Sequence, residues 1–297
     1  MNTIKKLLKT FDSVGVFNSK LPAIEQKMLN ELLLLLKDLE VKNGRIVSNL
    51  ANLKLINGIR NKLERLIVSK PYLKDLTNFI NSFNTAALYA SVYFKEVSDM
   101  FKPQPYYDEI LNVSKNNAIE ALTRDGISYY VASPIRDKLL TAVTSSQNYA
   151  SLLTSLQKSI VSSKDNLGLL SKYASTYSTT ALSQFVGQYI AAINKELSFT
   201  WFRYVGSNIK TTREFCLLMT EKEWVHESEF ETVLAGNIDG HQVAINESTK
   251  LPHGLIAGTV ASNFVANCGG WNCRHKLFPV ADYVVPEHIR QRVAAKN

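Results

Sequence analysis

Through most of residues 1–200 the apolar positions recur at intervals of three and four, the period of an amphipathic helix. Ile24, Met28, Leu32, Leu35, Leu36 and Leu39 predict a helix over 20–40. Asn43-Gly44 interrupts it, and Ile46, Leu50, Leu53, Ile56, Ile59, Leu63 and Leu66 resume the period as far as Pro71. These two stretches read as a helical hairpin or as one long kinked helix. Another helix is expected over about 72–100, before Lys102-Pro103-Gln104-Pro105, because two prolines two apart cannot continue one. Asp108 to Arg124 is helical again, with Gly126 at its end. Ser133-Pro134 has the form of a serine cap followed by a proline at the first helical position. Tyr149, Leu152, Leu153, Leu156 and Ile160 mark the next helix. Leu170, Tyr173, Tyr177, Ala181, Phe185, Tyr189, Ile193 and Leu197 then form a long aromatic stripe, expected to pack on the other helices.

From residue 199 the pattern changes. Phe199-Thr200-Trp201-Phe202-Arg203-Tyr204-Val205, ending in Gly206-Ser207-Asn208, reads as a strand and turn. Trp224 to Leu234 suits a short helix, Gly236-Asn237, Asp239-Gly240 and Pro252-His253-Gly254 are turns, Phe278-Pro279-Val280 is extended, and Pro286 to Ala295 suits a terminal helix. The predicted fold is mostly α with a small α+β C-terminal domain: a helical bundle or extended helices, then a compact module containing Cys and His. The regions drawn from the sequence are 1–102, an N-terminal helical region; 103–198, a second helical region; and 199–297, the α+β module.

Composition sharpens that division. Of 297 residues, 45% are hydrophobic and 20% charged, the values of a globular chain. Residues 1–200 carry 24 Lys/Arg against 16 Asp/Glu, whereas 201–297 carry 10 of each, so the net charge of +8 belongs to the helical part. No block of five or six basic residues occurs, and a solvated helix surface accounts for the excess; a surface lying near nucleic acid is the minority reading. The longest aliphatic run, Leu32 to Leu36, is far below the ~20 residues of a membrane span, so no span is expected. Met1-Asn2-Thr3-Ile4-Lys5-Lys6 lacks the continuation of a signal peptide. Three cysteines do not make a secreted disulfide framework and fit synthesis in a reducing compartment.

All three cysteines and all five histidines lie in the last third. Cys268-Gly269-Gly270-Trp271-Asn272-Cys273-Arg274-His275 is the densest run of ligating and turn-forming residues, and Cys216 stands upstream in Thr211-Thr212-Arg213-Glu214-Phe215-Cys216. The paired glycines predict a tight backbone corner, with Cys216, Cys268, Gly269, Gly270, Cys273, Arg274 and His275 forming a structural cluster. Cys216, Cys268, Cys273 and His275 would close a tetrahedral shell as a structural zinc site. A disulfide from Cys216 to Cys268 or Cys273, or three reduced cysteines packed in a small core, are the alternatives. No catalytic residues are assigned. His226-Glu227-Ser228-Glu229-Phe230 lacks the second histidine of a metalloprotease helix. Cys273 and His275, only two residues apart in sequence, are read as a poor catalytic dyad. Glu221, Glu223, Glu227, Glu229 and Glu231 read as a solvated helix face rather than a metal cluster.

In order, Trp201-Phe202-Arg203-Tyr204-Val205-Gly206, Thr212-Arg213-Glu214-Phe215-Cys216, Trp224, Gly269-Gly270-Trp271-Asn272-Cys273-Arg274-His275 and Pro279-Val280 resemble the C-terminal domain of tailed-phage minor head proteins, the phage Mu F-type head-morphogenesis family. The likeness covers about residues 170–285. It departs from the common pattern in having Gly-Trp before Asn272 and His275 in the last position. The resemblance implies a virion component made in the host cytoplasm and recruited to the capsid interior or portal vertex. Its implied partners are portal and capsid proteins and packaged double-stranded DNA, bound without sequence preference, and its implied role is head assembly and DNA packaging or ejection. It implies no catalysis. The competing expectation is an enzyme, a hydrolase or toxin-like transferase using the C-terminal His/Cys cluster. That reading requires a pocket gathering at least two of His226, His241 and His253 with a carboxylate. The assembly reading instead expects the thiols and His275 to lie away from any cleft.

Overall fold

In the computed structural model, which describes residues 2–268 and 270–295, 65% of the chain is helical, with a few small antiparallel sheets and a C-terminal Cys/His cluster. The chain is mostly α with a small α+β C-terminal region, as its periodicity predicts. Among the described residues, no helix is long and apolar enough to cross a membrane.

Two compact units emerge, and neither is a continuous stretch of sequence. One comprises residues 1–11, 82–114 and 179–297; the other comprises 12–81 and 115–178. The divisions at 81/82, 114/115 and 178/179 fall inside the helices Lys70–Val97, Pro105–Thr123 and Leu169–Leu197. The units therefore interleave along the chain and do not follow the regions 1–102, 103–198 and 199–297. Apolar periodicity has no way to signal this, because a helix keeps its stripe while changing what the stripe packs on.

In the second unit, Leu21–Leu36 buries Leu21, Ile24, Met28, Leu29, Leu32 and Leu36, the face that the heptad-like spacing predicts. Neither a helical hairpin nor a kinked helix follows it. Asn43 and Gly44 both take positive φ, and Val41–Lys42 pairs antiparallel with Arg45–Ile46 in a two-residue hairpin. The buried Asn52 amide holds that hairpin, donating to the Val47 and Glu40 carbonyls at 2.7 and 3.0 Å and accepting from Glu40 N–H at 2.9 Å. Shorter helices, Leu50–Asn57 and Ile59–Ile67, come next. Ser133 does not cap a helix. The chain reaches it already helical, through a π-helical turn at Ser128–Ala132, and the cap position of the helix Ser133–Thr144 falls on Ala132 instead. Pro134 has no N–H to give the preceding turn, and a widened turn accommodates its ring. Glu25 is wholly buried, and its carboxylate accepts from the backbone N–H groups of Ser162 and Ser171 at 2.9 and 2.8 Å. Ser171 lies in the first turn of Leu169–Leu197, so Glu25 neutralises that helix start from a distant part of the sequence.

In the first unit, a chain of aromatic contacts runs Phe83–Phe185–Tyr189–Tyr107–Phe101–Phe94–Tyr93–Phe278, with ring centroids 5.2–6.1 Å apart. Phe185, Tyr189 and Ile193 of the aromatic stripe are buried in it or beside it, as expected. The sheet of this unit has the strand order Trp224–His226, Trp201–Val205, Lys276–Val280, all antiparallel. Trp224–His226 is thus a strand, followed by a 3-10 turn and the helix Phe230–Leu234, rather than one helix from 224 to 234. Pro279 pairs with Phe202 on an edge strand, where a missing N–H costs no ladder bond, and its carbonyl accepts from Tyr93 Oη at 2.5 Å.

A candidate metal centre beside a cationic cleft

Three segments of the first unit meet at the thiols. The strand Trp201–Val205 sends Phe202 and Tyr204 into the core. The helix Glu214–Lys222 buries Phe215, Cys216 and Met219 against them, and the run from Gly270 to His275 leads into Lys276–Val280. Cys216, Cys273 and His275 come together: their ligating atoms all lie within 4.8 Å of one another, and all three residues are buried. Cys216 Sγ is 3.6 Å from Cys273 Sγ, and Cys273 Sγ is 3.3 Å from His275 Nδ1.

Cys273 and His275 meet through a turn and not along a strand, where residues two apart would also share a face. The strand begins only at Lys276, and Asn272 takes φ +52°, so the chain turns at Cys273 and His275 N–H donates to Cys273 Sγ at 3.4 Å. The imidazole is oriented from three directions. Tyr204 stacks on it at 5.5 Å and 11°, Asn208 Oδ1 meets Nε2 at 3.0 Å, and Gly206 passes beneath it. A Cβ on Gly206 would lie 2.3 Å from His275 Cδ2, so no other residue fits there without moving the ring. With Nε2–H donated to Asn208, Nδ1 keeps its lone pair toward the thiols, the arrangement by which an acceptor behind the ring orients a metal-binding histidine.

Cys268 does not join the ligand set. It is buried and ends the short helix Phe264–Asn267; its carbonyl accepts from the buried Lys276 ammonium at 2.9 Å. The four-ligand shell expected from sequence is therefore a three-ligand group of Cys216, Cys273 and His275, and that group could bind a metal. None of the three cysteines is disulfide-bonded. The hydrogen bond from the Cys216 thiol, and then His275, holds Cys273 well below the ordinary thiol range, while that same bond and burial push Cys216 up. Burial pushes Lys276 down and, with the neighbouring thiols, pushes Tyr204 up.

The glycine corner is real at Gly270, which has φ +70° and whose Cβ would meet the Gly254 carbonyl oxygen at 1.8 Å. Gly254, at φ +90°, is equally confined by the Arg213 side chain. Trp271 N–H donates to Gly254 O at 3.0 Å, and Arg213 donates to the Trp271 carbonyl. Asn272 N–H donates to Thr180 Oγ1 at 3.1 Å, and Gly187 lets the helix Leu169–Leu197 approach the backbone of Ala266. Gly269, the other member of the pair, lies outside the described residues.

The cluster does not lie away from a cleft. Cys216, Cys273 and His275 line one of about 410 Å³, together with Arg213, Arg274 and the hydroxyls of Ser207, Thr211 and Thr212. Arg274 is exposed. Among the described residues, His275 is the one histidine of that cleft and no Asp or Glu lines it. His226 caps a 3-10 turn through Ser228 and packs on Trp201, while His241 lies exposed on the two-residue strand His241–Gln242 and His253 in an exposed turn. The glutamates do not share one helix face. Glu223 pairs with Arg203, and Glu229 pairs with buried Lys222, with a strand between them. Asn208 and Gly206, which aim His275, were legible in the sequence only as turn residues. Comparison with protein-family models, with curated proteins and with solved structures finds no match to this chain.

Proposed function

We propose that this chain is a minor head protein of a tailed phage, acting at the portal vertex or capsid interior in head assembly and DNA packaging or ejection, and that zinc on Cys216, Cys273 and His275 braces its C-terminal module. The observation that carries this reading is convergence. The strand Trp201–Val205, the Thr212–Cys216 segment and the Gly270–His275 run, which bear the likeness to head-morphogenesis proteins, build one small module whose sulfurs stand 3.6 Å apart across 57 residues of sequence. Two thiolates and an imidazole favour zinc over hard cations. The basic excess of residues 1–200 supports contact with packaged duplex through phosphates.

The decisive experiment is co-purification with the portal protein encoded by the same genome, paired with mass spectrometry of purified virions. The protein is expected in both. Its absence from virions and from the portal eluate would end the assembly reading. Elemental analysis is expected to find one zinc per chain, lost on Cys273→Ser; a zinc-free native protein would end the metal reading separately.

The cleft beside the thiols is the one observation that favours an enzyme. It gathers neither the second histidine nor the carboxylate that a hydrolase or transferase of that kind requires, and so assembly is the better reading.

A further inference from the structure

Zinc in proteins is almost always four-coordinate, and a structural site closes its shell with protein atoms, whereas three protein ligands leave a position for solvent or an exogenous donor. Here three donors are present, Cys268 is not a fourth, and the three line a cleft. The open position therefore has a definite chemical setting. A divalent ion on two thiolates and an imidazole has no net charge. The surroundings add positive charge, because Arg213 and Arg274 stand in the cleft wall. Arg213 already donates to the Trp271 carbonyl, but the exposed Arg274 guanidinium makes no hydrogen bond or ion pair among the described residues. The rest of the wall offers hydroxyl and amide donors, from Ser207, Thr211, Thr212 and Asn272, and among the described residues no carboxylate to repel an anion.

We propose that the Cys216/Cys273/His275 centre is an open metal site whose fourth position, facing the cleft, takes an oxygen of a carboxylate or phosphate group, with Arg274 binding the anion's second oxygen. Resting on the zinc reading above, this makes the centre a receptor for an anionic group as well as a brace. A metal and a guanidinium both select oxyanions, and an arginine can share the planar pair of oxygens of such a ligand.

The test uses the full chain loaded with Co(II) in place of zinc, whose visible ligand-field bands respond to the fourth donor. Titration with acetate in one arm and inorganic phosphate in the other is expected to shift the bands saturably in at least one. The arm that binds tighter identifies the source as a protein carboxylate or a phosphate. Arg274→Gln, on an exposed side chain, should leave the cobalt stoichiometry at one per chain and weaken anion binding about tenfold or more, the loss expected for a charge-assisted hydrogen bond. Cys268→Ser should leave the spectrum unchanged. Bands indifferent to both anions would overturn the proposal. So would sulfur-to-cobalt intensity that disappears in Cys268→Ser, since Cys268 would then be closing the shell. Equal anion affinity in Arg274→Gln would overturn the role of the guanidinium. Failure to bind cobalt at all would instead sink the zinc reading, and the stoichiometry measurement distinguishes that outcome.

Discussion

His275 owes its position to residues without chemistry of their own. Because a methyl on Gly206 would meet the imidazole at 2.3 Å, Gly206→Ala must displace either the ring or the end of the strand. Metal affinity should fall about 10- to 100-fold, as for loss of other groups that orient a ligand; competition with a chromophoric chelator measures it. Unchanged affinity would remove His275 from the ligand set. The thiols give a second prediction, for the metal-free protein. Cys273 titrates lower folded than unfolded, so its stabilising contribution is complete above the unfolded thiol value of ~8.5 and is lost as pH falls toward its folded value. Cys216 is shifted up and acts in the opposite sense, losing stability as pH rises past the unfolded value. Melting temperatures of metal-free protein should therefore drop on acidification more steeply than those of Cys273→Ser, and parallel curves would exclude the buried thiolate.

At the scale of elements, the helix Leu169–Leu197 depends on a carboxylate from another helix. Glu25→Ala would leave the N–H groups of Ser162 and Ser171 unpaired in the interior, and should cost about 1–3 kcal/mol, read as a shift in the urea midpoint at constant slope. A midpoint within experimental error of the parent would show that solvent replaces the carboxylate at no cost. This dependence illustrates what the sequence conveys and what it withholds. Long helices such as Lys70–Val97 and Leu169–Leu197 are legible because their apolar stripes persist for seven turns or more, and the strand Trp201–Val205 because β-branched and aromatic residues end in a glycine turn. Cys216 and Cys273 were legible as candidate partners from residue type alone. Exclusion of Cys268 was not, since it depends on where the short helix Phe264–Asn267 turns its last residue. Nor was the strand Trp224–His226, whose three residues are too few for a period and are fixed by pairing with Trp201–Arg203.

For the whole molecule, positive charge is divided nearly as unevenly between the compact units as it is along the sequence. The unit of residues 12–81 and 115–178 carries 18 Lys/Arg against 11 Asp/Glu, and the other carries 16 against 15. Binding to duplex DNA, if the basic unit serves packaged genome, should show no sequence preference and weaken steeply with added salt as counterions cease to be released. Fluorescence anisotropy across a salt series reads this directly; no binding at low ionic strength would strike DNA from the partners. The interleaved path of the chain bears on how the protein is made. Residues 1–11 belong to the same unit as Lys276–Val280, whose strand completes the three-stranded sheet. Residues 1–11 must wait for a strand made far downstream before their unit can close, and Trp201–Val205 meanwhile presents a bare edge to other nascent chains. Slow maturation, with early exposure to chaperones, is the cost of drawing segments so distant in sequence into one body.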